Sequence, residues 1–338
     1  KASIMKKHTL EGVITCNTDT FYGVGTNPVI AVFTAHEPHD ADKVCKFIDF
    51  RDDGYEVRAH VGLVEGDSAK DKKQHLLDVW NGRAEAPSKF CVESTVKPED
   101  EWLHSFYYFN DEIPTDADFE KAIGDYLTFE FSMVMQNREY LFEGGDDIAE
   151  LGKAVKIPAL DEKEWKPFSI VDLFSSIIPG KGKGLNHLKK VCADGVNYIG
   201  ATNRNNGVLC YVEEDTYSRS MILEGNCIGF IKNGDGSAGF AIYKAEQFIS
   251  TSDVLYGYAD WLNKFTGLFF VVAQDKIEHK YSHGYKRNKE HLAGDKVMLP
   301  VTDSGEPDYK YMEQYSKNMM LRKYQQYLTF LQQRSNTR

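Results

Sequence analysis

The chain has 338 residues, 42% of them hydrophobic and 27% charged, the composition of a globular protein with two or three domains. No eighteen apolar residues run together, which excludes a membrane-spanning helix, and the N-terminal KASIMKKHTLEG lacks the apolar segment of a secretory leader. A net charge of −11 excludes a uniformly basic nucleic-acid binder, but residues 1–160 hold 17 Lys and Arg against 30 Asp and Glu, and the remainder is close to neutral. A locally basic face in the second half is therefore compatible with DNA, because phosphate contacts are local. The six cysteines are scattered and none forms C-x-x-C, so the spacing predicts free thiols in a cytoplasmic protein and no zinc site.

In chain order, residues 1–8 read as the last turns of a helix, with the chain starting inside a domain. Three short strands come next: LEGVITC (10–16), NPVIAVFTA (27–35) and KVCKFIDF (43–50). The last two are expected to pair as an antiparallel hairpin through HEPHDAD. FYGVG at 21–25 has the spacing of two glycines from a G-x-G-x-x-G loop. The next segment, NPVIAVFTA, is rich in β-branched residues, however, so the glycines are expected to join two strands and hold no cofactor. Helices are predicted at 67–81 and, more strongly, at 115–135. The second has Thr115 as N-cap, acidic residues in its first turn, and a stripe of Phe119, Ile123, Tyr126, Leu127 and Phe131. The glycine-rich, acidic stretch at 143–164 is expected to act as linker and to be cut first by proteases near Gly144 and Gly145.

After Trp165 the texture changes to short strands between glycine and asparagine turns: YIGATNRNNGVLCYV (198–212), NCIGFIKNGDGSAGFAIY (226–243) and TGLFFVVAQ (266–274). The Asn206-Gly207 and Asn233-Gly234 pairs are turn signals. Residues 309–333 predict one long helix with apolar and aromatic side chains along it, suited to packing on another helix or a partner.

Two resemblances join these parts. HTLEGVITCNTDTFYGVGTNPVIAVFTAHEPH together with KFIDFRDDGY resembles the C-terminal part of an N6-adenine DNA methyltransferase from type I and related restriction-modification systems. FSIVDLF, GATNRNNGV, FIKNGDGSAGF, KYSHGYKR and KVMLPVTDSGEPDYKYMEQY resemble a target recognition domain from the specificity subunits of the same systems. Together they imply a fold that is α/β plus α+β. The edge of a class I (Rossmann-like) methyltransferase sheet would occupy 1–145, with a linker at 146–164. A β-rich recognition domain would come after it at 165–305 and a helical arm at 306–338. The family's glycine-rich S-adenosylmethionine loop and its Asn/Asp-Pro-Pro-aromatic motif are missing, so the resemblance implies no catalytic residue here. S-adenosylmethionine is expected for the parent site-specific adenine-N6 methyltransferase and not for this chain, which is expected to be inactive alone. The missing motifs would come from an upstream methyltransferase segment or subunit.

Phe21 and Tyr22 either line the pocket of the flipped adenine, as the resemblance implies, or lie buried under the sheet edge. Four clusters suit double-stranded DNA: Lys181 and Lys183; Asn203, Arg204, Asn205 and Asn206; Lys232 and Asn233; and Lys280, Ser282, His283, Tyr285, Lys286 and Arg287. Arg and Lys read guanine or grip phosphate, and Asn pairs with adenine. Glycines beside Lys181 and Lys183 would let backbone amides approach a phosphate. His279 and His283 lack a third ligand, so no metal is expected. The rival reading is a non-catalytic assembly module that uses its long helix to hold a restriction subunit or a second copy, without reading bases.

Overall fold

The computed structural model describes residues 1–21, 26–142, 152–182, 184–234, 236–282 and 284–336. The fold is mixed α/β and divides into two compact units: Lys1–Asn110 with Lys280–Tyr285, and Asp111–His279 with Lys286–Arg338. The division falls at Asn110, ahead of the 146–164 stretch expected to separate two bodies. The physical reason is the apolar face of the 116–135 helix, which packs into the second unit's core.

The first unit is built on a four-stranded sheet. Its strands are β1 (His8–Cys16), β2 (Val29–Ala35), β3 (Cys45–Phe50) and β6 (Cys91–Ser94), in the order β2-β1-β3-β6. A separate ribbon, β4 (Tyr55–Arg58) with β5 (Gly62–Glu65), lies between them in sequence. β2 pairs antiparallel with β1, and β3 lies parallel to β1 on the other side. The expected β2–β3 hairpin is thus replaced by a crossover, with β1 taking the central place. Its residues explain this: Leu10 and Val13 join Cys45, Phe47 and Val96 in one cluster, whereas Ile14 joins Ile48 and Val79 in another. A strand covered on both faces belongs inside a sheet. Short helix α1 (Ala2–Met5) leads into β1, helix α2 (Ala69–Trp80) covers one face, and short helix α3 (His104–Tyr107) brings Tyr107 against Phe47. The Lys46 ammonium reaches the Val79 and Trp80 carbonyls at the end of α2, where cations are favoured.

In the second unit, helix α4 (Asp116–Met135) starts at the predicted Thr115 cap. The Thr115 hydroxyl accepts from the Asp118 amide, and the Asp118 carboxylate accepts from the Thr115 amide. Its buried stripe is Phe119, Ile123, Tyr126, Phe129 and Met133; Phe131 is exposed. Strands β7 (Trp165–Ser169) and β16 (Lys296–Pro300) form a two-stranded ribbon. Strands β8 (Ser176–Pro179), β12 (Cys227–Ile231), β13 (Ala241–Lys244) and β15 (Val254–Tyr258) form one sheet, ordered β13-β12-β15-β8. Strands β9 (Lys190–Val191), β10 (Val196–Ile199), β11 (Val208–Val212) and β14 (Phe248–Ser250) form another, ordered β14-β10-β11-β9.

The remaining helices are α5 (Thr216–Arg219), α6 (Lys264–Asp275), α7 (Lys289–Gly294) and α8 (Tyr309–Asn336). TGLFFVVAQ, expected as a strand, lies within α6. The Asn263 side chain accepts from the Phe265 and Thr266 amides, starting a helix whose residues 265–274 are all buried. A continuous apolar run carries no periodicity to separate strand from helix, and here the cap and the all-round burial decide it. Helix α8 packs its first turns on α6 and α4 through Tyr311, Met312, Tyr315, Met319 and Met320. Its later Tyr327 and Leu328 are exposed. Among the described residues, no helix is long and apolar enough to cross a membrane.

Candidate nucleic-acid interface

One run of turns in the second unit gathers segments far apart in sequence. The turn after β10 holds Arg204, Asn205 and Asn206, with positive φ at Asn205 (48°), Asn206 (47°) and Gly207 (81°). Asparagine tolerates this left-handed backbone better than most side chains. Beside it lies the turn after β12. Gly234 sits so close that a Cβ would stand 2.1 Å from the Ala201 carbonyl oxygen, and the Ser237 hydroxyl donates to the Asn203 amide oxygen at 3.1 Å. The Lys232 amide donates to the Asp253 carbonyl at 2.9 Å, and the Lys232 carbonyl accepts from the Arg287 amide at 3.0 Å. The Thr251 amide donates to Ile199, and residues 180–182 lie along Ser250 and Thr251. Three of the predicted clusters, and Lys286 from the fourth, are therefore linked through a few backbone contacts.

Their side chains divide into those facing solvent and those spent on the fold. Lys181, Arg204 and Lys286 are exposed and Lys232 is partly buried; none is paired with another described residue. Against these four cations the same segments carry two carboxylates in sequence, Asp235 and Asp253, of which Asp253 accepts from the Thr251 hydroxyl at 3.4 Å. The described segments thus carry an excess of positive charge at solvent, which suits a polyanion. Asn206, by contrast, turns inward and its amide donates to the Tyr243 carbonyl at 2.9 Å. The Asn205 amide donates to the Val208 carbonyl at 3.2 Å, and Asn203 is held by Ser237. Asn233 is partly buried. The asparagines shape the turn that displays Arg204.

Several expected contacts need correction. Arg287 is fully buried: its guanidinium donates to Asp295 at 3.0 Å and to the Gly239 carbonyl at 3.0 Å, under the 232–239 turn. Lys280 and Tyr285 are buried as well, and Ser282 is partly buried; Lys280–Tyr285 belongs to the first unit. Gly180 and Gly182 of PGKGKG serve packing. The Gly182 amide donates to the Ser250 carbonyl at 2.7 Å, and a Cβ there would stand 2.5 Å from that oxygen, so it is not offered to a phosphate. Lys183, His283 and Tyr22 lie outside the described residues, as do Gly144 and Gly145. Phe21, in the turn after β1, is 57% exposed, which leaves its ring able to stack and removes the buried alternative for it.

Sequence reading missed the polar groups beneath the turns. Lys244 and Glu246 are fully buried partners at 2.6 Å, and the Asn197 amide donates to Glu246 at 2.8 Å. Asp275 accepts from the Ala241 amide and from Gln274, and desolvation pushes its carboxyl up to about 7. The signal available in sequence was a charged pair inside an otherwise apolar strand context, GFAIYKAEQFIS. Among the described residues, β1 is followed by antiparallel β2 with no helix between them.

Residues 162–328 match the family described as type I restriction modification DNA specificity domain. Over 147 residues, 44% of this chain, the sequence is 50% identical to the type II restriction enzyme and methyltransferase RM.BcgI of Heyndrickxia coagulans, covering 23% of that protein. Over 207 residues, 59% of this chain, it is 30% identical to the specificity subunit S.BcgI of the same organism, covering 55% of that subunit. The chain therefore spans less than two thirds of the length of either. Among solved structures, the type I restriction-modification S subunit from M. genitalium aligns over 64% of this chain and 55% of that one, with a TM-score of 0.36 and 16% identity. The HsdS subunit from Thermoanaerobacter tengcongensis aligns over 95% and 85%, with a TM-score of 0.32 and 10% identity.

Proposed function

We propose that this chain, whose residues 162–328 match the type I restriction modification DNA specificity domain family, reads double-stranded DNA for a restriction-modification assembly. The observation that carries the reading is the grouping of Lys181, Arg204, Lys232 and Lys286 on linked turns, with no described partner for any of them. Arg204 is the base reader, because an exposed guanidinium on a rigid turn can pair bidentately with guanine. Lys181, Lys232 and Lys286 grip phosphate. The resemblance to RM.BcgI supports reading the first unit as the closing edge of a class I, Rossmann-like adenine-N6 methyltransferase sheet, with Phe21 near the flipped base. The S-adenosylmethionine site and the catalytic motif would be supplied by another methyltransferase segment or subunit, so this chain alone transfers no methyl group. The test is duplex binding at several salt concentrations. Each phosphate neutralised should steepen the log–log slope by about 0.9, and a selected duplex should bind more tightly than random sequence. Salt-independent or sequence-blind binding would refute the reading.

The exposed Tyr327 and Leu328 on the outer part of α8 favour a second role alongside the first. That part of the helix would dock on a methyltransferase or restriction subunit, or on a second copy.

A further inference from the structure

The Arg204 turn is expensive to hold. Asn205, Asn206 and Gly207 all have positive φ, and only glycine adopts that backbone without steric cost. Bonds from outside the turn must therefore select this conformation over its competitors. Two of them close on Asn206 from below. The Lys244 ammonium donates to the Asn206 carbonyl at 3.1 Å, and the Asn206 side-chain amide donates to the Tyr243 carbonyl at 2.9 Å. Lys244 is itself held by two further contacts. It pairs with Glu246 at 2.6 Å, both side chains being fully buried, and its ammonium lies 4.9 Å from the centre of the Phe129 ring. Glu246 is held in turn by the Asn197 amide, from the strand that leads into the turn.

A buried ion pair is a poor device for stability alone, because desolvation consumes most of the attraction, and an apolar pair of similar volume often does as well. What an apolar pair cannot do is donate a directed hydrogen bond to one chosen carbonyl. We infer that the buried Lys244–Glu246 pair positions the Arg204 turn, and that it thereby sets sequence preference at the base pair Arg204 meets. Lys244 and Glu246 touch no DNA; they are positioning residues. This inference rests on the DNA-reading function proposed above.

The experiment selects from a pool of duplexes with a randomised core, using the full chain, the Lys244→Met/Glu246→Leu double variant and Asn206→Gly. The double variant removes both charges together, so neither is left buried alone. Asn206→Gly suits the positive φ; it removes the side-chain bond to the Tyr243 carbonyl and keeps the Lys244 bond to the backbone carbonyl of residue 206, so it is the control for a turn loosened without touching the ion pair. Preference at one base pair, or at two adjacent ones, should fall by about tenfold in the double variant, as expected when one bidentate contact loses its geometry, and should hold in Asn206→Gly, which keeps the Lys244 bond. The double variant's affinity for the unselected pool and its melting temperature should stay near those of the unmodified chain. Preference that survives unchanged in the double variant, or that falls just as far in Asn206→Gly, overturns the inference. So does loss spread evenly over all positions in step with lower melting, which is the mark of a merely structural role. If the unmodified chain selects no sequence at all, the DNA-reading function fails first and this inference with it.

Discussion

Arg204 and Arg287 carry the same guanidinium in opposite settings, and their replacements should read out differently. Arg204 is exposed and without an ion-pair partner among the described residues, so Arg204→Ala should leave thermal melting unchanged. On a preferred duplex it should cost about 1–3 kcal/mol of binding and relax preference at one position. Lys286→Ala should weaken all sequences alike and make the salt slope shallower by about one. If both variants bind like the unmodified chain, the basic turns do not meet DNA. Arg287→Met would instead leave the Asp295 carboxylate buried without its cation, a change that typically costs about 3–5 kcal/mol. Urea denaturation should show that loss, with little change in sequence preference among the molecules still folded.

Asp275 adds a pH dependence of definite sign. Its carboxyl is pushed up to about 7 by desolvation, against the bonds from Ala241 and Gln274 and the nearby Arg287, which favour the charged form. In the unfolded chain an Asp releases its proton near pH ~4. Between these values the folded state binds more protons, so stability from this group is fully present below pH ~4 and declines as pH rises to about 7. Asp275→Asn should remove that slope. Melting temperatures of the variant and the unmodified chain should therefore diverge in the variant's favour as pH is raised from 5 to 8. A constant offset across that range would count against the assignment.

At the scale of the element, α4 and α8 show how a cap and a burial pattern make separable contributions. The reciprocal Thr115–Asp118 bonds satisfy two amides at the start of α4, and Thr115→Ala should destabilise the second unit by about 1 kcal/mol. Calorimetry would detect this as a lowered melting temperature with no effect on DNA preference. The outer turns of α8 expose Tyr327 and Leu328, whereas Met312, Met319 and Met320 are buried against α6 and α4. Leu328→Glu should therefore spare melting while weakening assembly with a partner helix, as measured by light scattering or co-purification. Equal assembly by this variant would remove α8 as the docking element.

At the scale of the whole molecule, the chain crosses between its units in a way that predicts the outcome of nicking. Residues 111–142 belong to the second unit, and Phe119, Ile123 and Met133 share its core with Phe269, Tyr311 and Met320. A single cut near Gly144 should therefore leave the two fragments bound to one another under native conditions, separating only in denaturant. Fragments that part freely on size-exclusion chromatography would show that α4 is not held by that core.

The sequence by itself determined the local features whose causes are local. Thr115 with acidic residues behind it specifies the start of α4, the Tyr309 helix is set by its length and pattern, and the asparagine–glycine pairs mark the turns. The motifs quoted from the second half also sufficed to place it with specificity domains of restriction-modification systems. Tertiary structure decided what depends on partners distant in sequence. It made TGLFFVVAQ a helix, because a continuous apolar run fits either form until its surroundings are known. It set β3 beside β1, because burial on both faces of β1 outweighed the short connection to β2. It buried Arg287 with Asp295 while leaving Arg204 at solvent, since a basic residue's role depends on the carboxylate that folding brings to it. It also placed Lys244 beneath Asn206, a contact across 38 residues that no spacing rule encodes.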